Sequence, residues 1–517
     1  MIALRSRCAL GLSLFAVTVG LVGCNSNQMQ GPRDSAGRAT ASNAEKQHNT
    51  EDYDRIFENP FLSAKENPQS TFSTAVDTAA YSNIRRFLNK GQLPPKDAVR
   101  IADMLNYFDY AYPEPCGEHP VAIALEMATC PWNPKHHLVK IALKARTISL
   151  GEMPPRNLVF LVDTSGSMAG PNRLPLVKDS LELLVNELGD RDRVSIVSYA
   201  GEASLRLAPT PGHQRNRILN AIRGLQAGGS TNGGGGIVMA YEQAQKSFIE
   251  GGVNRVILAT DGDFNVGVSS DAELVRMIEQ KRDTGVYLTV LGYGMGNLKD
   301  NKLEQLAHHG NGHYAYIDSI DEARRVFVDQ GGALAIVAKD VKLQVEFNHK
   351  QVNAYRLIGY ENRVLRNQDF RNDAKDAGDL GSGHTCTALY EIVPVGVEIA
   401  VQSAGELKYQ KASEDADAAR SGEWLTVRLR YKHPDSEKAN ELDVVMPEDG
   451  LAKLPSEDFR FAASVAAFGM LLRDSEYKGQ ATYDRVKKWA NGALADDRNG
   501  LRSEFVGLVN KAQQIRR

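Results

Sequence analysis

Two aspartates and three hydroxyl residues, spread over three segments, form the chain's clearest chemical grouping. Asp163, Ser165 and Ser167 stand in Asp163-Thr-Ser165-Gly-Ser167, directly after the apolar run Leu158–Val162. Thr231 lies 68 residues beyond Asp163, in Gly228-Gly-Ser-Thr231-Asn232, ahead of four glycines. Asp261 lies 98 residues beyond Asp163 and follows a second apolar run, Val256–Thr260. Carboxylate and hydroxyl oxygens are hard donors, suited to Mg²⁺ or Mn²⁺ rather than zinc. Two carboxylates neutralise a divalent ion, and the hydroxyls add no charge. Five protein groups, some acting through water, leave one place in an octahedron for an outside oxygen, so such a site retains an affinity for an external carboxylate.

The elements that must position these groups are buried strands. An apolar run that ends in Asp places the carboxylate at the carboxyl edge of a parallel sheet, where open α/β folds hold ligands. Between residues 156 and 331 helix and strand patterns alternate. Helix Pro175–Leu188 precedes strand Arg193–Tyr199, and helices follow near Arg215–Leu225 and Gly235–Phe248. Strands Val253–Thr260 and Tyr287–Leu291 bracket helix Ala272–Arg282, and strand His313–Ile317 with helix Asp321–Gln330 closes the series. The expected fold is a doubly wound α/β sheet with helices on both faces.

With these residues in view, the segment resembles a von Willebrand factor type A domain. Asp163, Ser165, Ser167, Thr231 and Asp261 match that family's metal-ion-dependent adhesion site one for one. The resemblance implies that the serines bind the ion directly, the aspartates often through water, and that the threonine joins or leaves with ligand state. The glycines at 233–236 are expected to absorb such a shift. The flanks narrow the family: Ser70-Thr-Phe-Ser-Thr-Ala-Val-Asp77-Thr-Ala-Ala-Tyr81, Pro94-Pro-Lys-Asp97, Ala259-Thr-Asp-Gly-Asp-Phe-Asn-Val-Gly267 and Leu389–Val393 resemble bacterial A-domain lipoproteins of the YfbK-like family. Asp263 and Asn265 match the family string without being assigned as ligands.

Rival motifs fall short. Gly292-Tyr-Gly294-Met-Gly296 is GxGxG and lacks the GxGxxG spacing of a dinucleotide loop, so it is expected to be a turn. Gly166–Gly170 is not a GxSxG elbow, and no GxxxxGK[ST], HExxH or CxxC occurs. His308, His309 and His313 have no acidic partners at ligand spacing and are expected to be structural.

Outside the A domain, Ala80, Tyr81, Ile84, Phe87 and Leu88 form a helical stripe that Asp77 is placed to cap, and Pro94-Pro95 opens a second helix. Alternating runs flank the A domain on both sides: Val121–Met127 and Leu138–Leu143 before it, then Val341–Phe347, Ala354–Tyr360, Thr387–Val393, Trp424–Tyr431 and Glu441–Val445 after it. They predict an antiparallel β-sandwich-like domain into which the α/β domain is inserted, or which flanks it. The spacer Asn367–His384 is expected to be a mobile loop. Helical stripes end the chain. The organisation expected is a signal peptide over 1–23, a disordered tether over 24–69, N-terminal helices with strands of the β-domain over 70–155, the A domain over 156–331, the β-domain over 332–455 and a helical region over 456–517.

The N-terminus carries Arg5 and Arg7, an apolar stretch from Ala9 to Val19, and Leu21-Val22-Gly23-Cys24. This pattern predicts a signal peptide rather than a membrane span. Its end resembles a lipobox, which implies acylation of Cys24 and a lipid anchor in the bacterial cell envelope. Asn25 resembles the residue that follows the lipidated cysteine of outer-membrane lipoproteins. Removal of two arginines takes the net charge from −3 to −5 (59 basic minus 64 acidic). That weak acidic balance argues against nucleic acid as partner. Cys116, Cys130 and Cys386 then remain. They permit one disulfide and one free thiol, with Cys116–Cys130 as a candidate pair and the other pairings open.

The expected function is a lipid-anchored extracytoplasmic module that captures an acidic side chain of a partner protein through Mg²⁺ or Mn²⁺, without being an enzyme. A scaffold of an envelope assembly is one alternative. A metal-assisted hydrolase is another, weakened because no general base or second metal is evident.

Overall fold

The computed structural model describes residues 50–149, 151–230, 233–262, 271–401, 419, 421–495, 497 and 499–517. Five parallel strands lie side by side in the order Tyr314–Ile317, Tyr287–Tyr293, Val253–Thr260, Arg156–Asp163 and Arg193–Tyr199. The strand Ala203–Pro211, which had no clear apolar alternation, adds an antiparallel edge to the last of them. Branched and aromatic residues fill the central strands because both faces are covered. On one face Leu174, Val177, Leu181, Ile218 and Ile222 come from two helices. On the other, Ile237, Tyr241, Leu274, Ile278 and Leu303 come from three more. The last helix, expected over Asp321–Gln330, runs helically from Ile320 to Arg324 and then widens into a π-helical turn over Arg325–Asp329.

Two sheets, antiparallel except for the parallel edge pair of Leu451–Ala452 with Val121–Thr129, make up the second domain, and each draws strands from both sides of the A domain. One runs Leu62–Ser63, Val352–Ile358, Thr385–Pro394, His137–Ala145 and Val121–Thr129, with Leu451–Ala452 beside the last. The other runs Val364–Leu365, Gln69–Ser73, Ile336–Phe347, Leu425–Lys432 and Ala439–Met446. Phe72, Val139, Ile141, Leu343, Val345, Tyr355 and Tyr390 share the core between them. The A domain is therefore inserted into a β-sandwich. The helices Ala79–Asn89, Ile101–Asn106, Glu457–Arg473, Tyr483–Asn491 and Leu501–Arg516 pack together on Ala128, Leu138, Ala142 and Leu389 of the first sheet. No helix of the described residues is long and apolar enough to cross a membrane.

Several expectations need correction. The disordered tether was expected to extend to residue 69, but residues 50–69 are held in place. Glu51 pairs with Arg86 through both oxygens (2.7 and 2.9 Å), and Leu62–Ser63 and Gln69–Ser73 are strands. The contacts near residue 51 are polar, so composition conceals them. Asp77 does not cap the first helix. Its two oxygens accept instead from the Tyr314 N–H (2.7 Å) and from Arg363 (2.7 Å), so tertiary partners displace the local cap. After Pro94-Pro95 the chain makes a 3₁₀ turn, Lys96–Ala98, before Ile101–Asn106. The spacer expected to be mobile holds a 3₁₀ turn, Asn367–Arg371, and a strand, Gly378–Gly381, paired to Ile336–Phe347. Arg430 clasps Asp373 at 2.8 Å and Lys342 donates to the Asn372 carbonyl at 2.6 Å, so charged groups order it. Cys116 and Cys130 are not joined. Cys116 is exposed, Cys130 is buried in the helical core, and Cys386 is also a free buried thiol.

A buried ionic cluster around Arg85 is among the contacts that fasten the A domain to the body. Arg85 binds Asp318 with Nε (2.8 Å) and Nη2 (2.5 Å), Glu322 with Nη2 (2.7 Å), and the Tyr107 hydroxyl with Nη1 (2.8 Å). Arg325 grips the other Glu322 oxygen at 2.8 Å. Removing one member of such a cluster leaves the others charged, dry and unpaired. Replacing Arg85 by Met is expected to cost about 3–5 kcal/mol of stability, measured by urea unfolding. A loss below about 1 kcal/mol would mean that the two domains do not depend on this junction.

Candidate metal centre

The strands Arg156–Asp163 and Val253–Thr260 pair in parallel with Val162 opposite Ala259, so Asp163 and Asp261 leave the sheet side by side. Both are 0% exposed. The Ser165 N–H donates to Asp163 Oδ1 at 2.9 Å, which folds the loop back over the strand end. The hydroxyls of Tyr199 and Thr260 both donate to Asp163 Oδ2 at 3.1 Å. Thr260 Oγ1 also accepts the Gly262 N–H at 3.1 Å and so fixes the turn that carries Asp261. Ser165 Oγ and Ser167 Oγ lie 3.0 Å apart, with Ser165 buried and Ser167 half-buried.

Thr231 lies outside the described residues, as do Asn232, Asp263 and Asn265. The loop before Thr231 is tied to the loop after Asp163: Gly228 N–H donates to the Thr164 carbonyl (2.8 Å) and Gly166 N–H to the Gly229 carbonyl (3.0 Å). The glycines expected to absorb a shift begin the helix Gly233–Lys246. A Cβ at Gly236 would stand 2.9 Å from Tyr199 Cβ, so this glycine serves close packing of helix on sheet. Cys24 lies outside the described residues.

Burial raises the Asp163 pKa to about 6; the Ser165 hydrogen bonds oppose the rise, and the neighbouring Asp261 charge adds to it. A pair of adjacent dry carboxylates is costly without a cation. The donor set, carboxylates with small hydroxyls and no thiolate or imidazole, fits a hard divalent ion.

One residue at this edge is absent from the sequence-derived set. Arg173, just ahead of the helix Leu174–Asn186, places Nε 3.3 Å from Asp261 Oδ2. Its Nη1 donates to the Ser167 carbonyl (2.8 Å) and its Nη2 to the Met295 carbonyl (2.7 Å). Sequence spacing gives no signal for it, since Met295 is 122 residues away.

The histidines do not converge: His308 meets Arg363, His309 meets Glu279 at 2.9 Å, and His313 faces His384. No group of three or more His, Cys, Asp or Glu among the described residues could hold a metal. Gly292–Gly296 ends a strand and turns with positive φ at Gly294 and Gly296, as expected of a backbone turn.

Comparison with known proteins fits this geometry. Residues 157–328 match the family described as von Willebrand factor type A domain, 47–140 the one described as von Willebrand factor, and 332–515 the one described as "Uncharacterized protein YfbK, C-terminal". YfbK of Escherichia coli (strain K12) is 41% identical over 471 residues, covering 90% of this chain and 81% of that protein. The chain belongs to the YfbK family. More distant relatives match smaller shares of the chain. Human inter-alpha-trypsin inhibitor heavy chain H4 is 28% identical over 190 residues, 35% of this chain and 19% of that one. A solved von Willebrand factor type A protein from Catenulispora acidiphila is 15% identical with a TM-score of 0.40, covering 73% of this chain and 88% of that one. Type A domains are modules of protein–protein interaction and adhesion, and as a class they bind rather than catalyse.

Thr260 is fully buried and ties the end of the strand Val253–Thr260 to Asp163 on the neighbouring strand. Thr260→Val keeps the shape and removes the hydroxyl, so Asp163 loses a charge-assisted bond and Gly262 N–H loses its acceptor. A loss of about 1.5–3 kcal/mol is expected in urea unfolding with EDTA present. A variant as stable as the parent would show that this hydroxyl does not hold the ligand edge.

Proposed function

We propose that this YfbK-family chain is a lipid-anchored extracytoplasmic binding protein whose A domain captures a partner protein through a divalent ion. The carrying observation is the convergence of two fully buried carboxylates and two serine hydroxyls at the carboxyl edge of one parallel sheet. Ser165 and Ser167 would hold Mg²⁺ or Mn²⁺, with Asp163 and Asp261 balancing its charge and Thr231 as the fifth ligand. The bound ion supplies a Lewis-acidic position that an acidic side chain of the partner completes. The protein's own groups do the orienting: Tyr199 and Thr260 fix the Asp163 carboxylate, and Ser165 N–H fixes its loop. Asp163 is then engaged on both oxygens, which suits contact with the ion through water.

The anchor rests on Leu21-Val22-Gly23-Cys24, and Asn25 supports the outer membrane as its destination. An acyl chain contributes about 0.8 kcal/mol per buried CH₂, so several together hold firmly.

Thermal unfolding of the full chain in detergent, in EDTA and in millimolar Mg²⁺ or Mn²⁺, tests the metal reading. With a dissociation constant near ~0.1 mM, ~5 mM ion stabilises by roughly 2.3 kcal/mol. The parent is expected to melt higher with ion and Asp163→Ala to show no shift. Equal shifts in both would place the binding elsewhere and overturn this assignment.

A further inference from the structure

We infer that Arg173 sets what the metal centre binds: it tips the loaded site to net positive charge, favouring a carboxylate ligand at some expense of affinity for the ion. This inference rests on the metal reading above and deepens it.

The position is built. The Arg173 side chain is 18% exposed, at the rim beside Asp261, which is fully buried. Its backbone is fixed on both sides, with the N–H donating to Gly170 O (3.1 Å) and the carbonyl accepting from Val177 N–H (2.8 Å). The guanidinium then joins three segments: Ser167 of the first ligand loop, Asp261 of the last, and Met295 after the strand Tyr287–Tyr293. Room for it is made at Gly294, whose φ is +73° and where a Cβ would lie 2.5 Å from Arg173 Nε. The Met295 carbonyl is steadied by its neighbours. Gly296 N–H donates to Glu51 (2.7 Å), Gly296 O accepts from Thr50 N–H (2.9 Å), and the Gly294 carbonyl accepts from the Tyr316 hydroxyl.

Charge arithmetic over these groups gives the consequence. A divalent ion with Asp163 and Asp261 sums to zero, and Arg173 makes it plus one. A neutral centre draws a carboxylate through the ion alone, whereas a centre with a fixed guanidinium at its rim also attracts it over longer range. The same charge repels the incoming cation. Arg173 is thus a positioning and specificity residue, and its effects on cation and on anion have opposite signs. A bridge that merely held the loops together would move both the same way.

The experiment is a Mn²⁺ titration of the full chain in detergent, read by electron paramagnetic resonance of free Mn²⁺. It is followed by acetate titration of the Mn²⁺-loaded protein, read by water-proton relaxation. Arg173→Gln is expected to bind Mn²⁺ threefold or more tighter and to need threefold or more acetate for half-displacement of bound water. Arg173→Lys, which keeps the charge, is expected to stay within twofold of the parent on both. Arg173→Met replaces the Gln variant should that one fail to fold. Unchanged or weaker Mn²⁺ binding on loss of the charge overturns the inference, as does a Lys variant that behaves like the Gln variant. A parent that binds no Mn²⁺ overturns the metal reading itself, and the role of Arg173 with it.

Discussion

Two like charges brought together out of water organise this molecule. Asp163 and Asp261 end neighbouring strands, and both are fully buried. Dehydrating a carboxylate costs several kcal/mol unless donors replace the water, and a second carboxylate alongside raises the cost. The surrounding fold supplies three donors to Asp163, the Ser165 N–H and the Tyr199 and Thr260 hydroxyls, and sets the Arg173 guanidinium as a cation 3.3 Å from Asp261. Each donor is on a different loop or strand end, so the sheet register must be right before any of them fits. A one-residue slip of Val253–Thr260 against Arg156–Asp163 would turn Thr260 away and strand the Asp163 carboxylate. The site's electrostatics and the sheet's pairing therefore specify one another.

The insertion gives that edge a fixed direction. Strands from before and after the A domain interleave in both sheets of the sandwich, as where Ile336–Phe347 pairs with Gln69–Ser73. The two halves of the sandwich cannot close unless the A domain returns the chain to its starting side. Where the A domain meets the body, buried charged contacts recur: Arg85 with Asp318 and Glu322, Arg100 with Asp300, and Arg363 with Glu304. A buried charged junction tolerates little sliding, because displacement strands ions without water.

Much of this was legible from residue types and periods. Buried parallel strands read as short apolar runs, and the two followed by Asp163 and Asp261 pair side by side in the sheet. Most long strands of the sandwich alternated clearly enough to be found within two residues, though Ile336–Phe347 begins five residues before its expected start and the short strands, such as Leu62–Ser63 and Gln69–Ser73, gave no signal. The runs on both sides of the A domain left insertion and flanking open, and the sheet pairing decides for insertion. What stayed hidden was tertiary. Asp77 has the chemistry of a helix cap, but a strand N–H and an arginine 286 residues away claim its carboxylate. Ala203–Pro211 is an edge strand with much of its length exposed, so it lacks the hydrophobic alternation that betrays a strand. Arg173 has no spacing rule at all, since its importance comes from the close approach of three loops.

The polar arm before residue 60 shows why composition misleads at such places. Ordering a few residues costs about 1–2 kcal/mol each in backbone entropy, which an arm poor in apolar side chains has little burial to offset. Here charge and hydrogen bonding offset it. Glu51 takes both Arg86 nitrogens and the Gly296 N–H, Thr50 reaches Asn297 Oδ1 at 2.8 Å, and Asp52 donates its N–H to the Leu298 carbonyl at 3.0 Å. All of these contacts except the Arg86 pair fall on the loop that carries Met295, Arg173's partner. That loop is gripped by the arm on one side and by Arg173 and Tyr316 on the other. Its ordering cost is met during folding, so the rim beside Asp261 is walled before anything binds there.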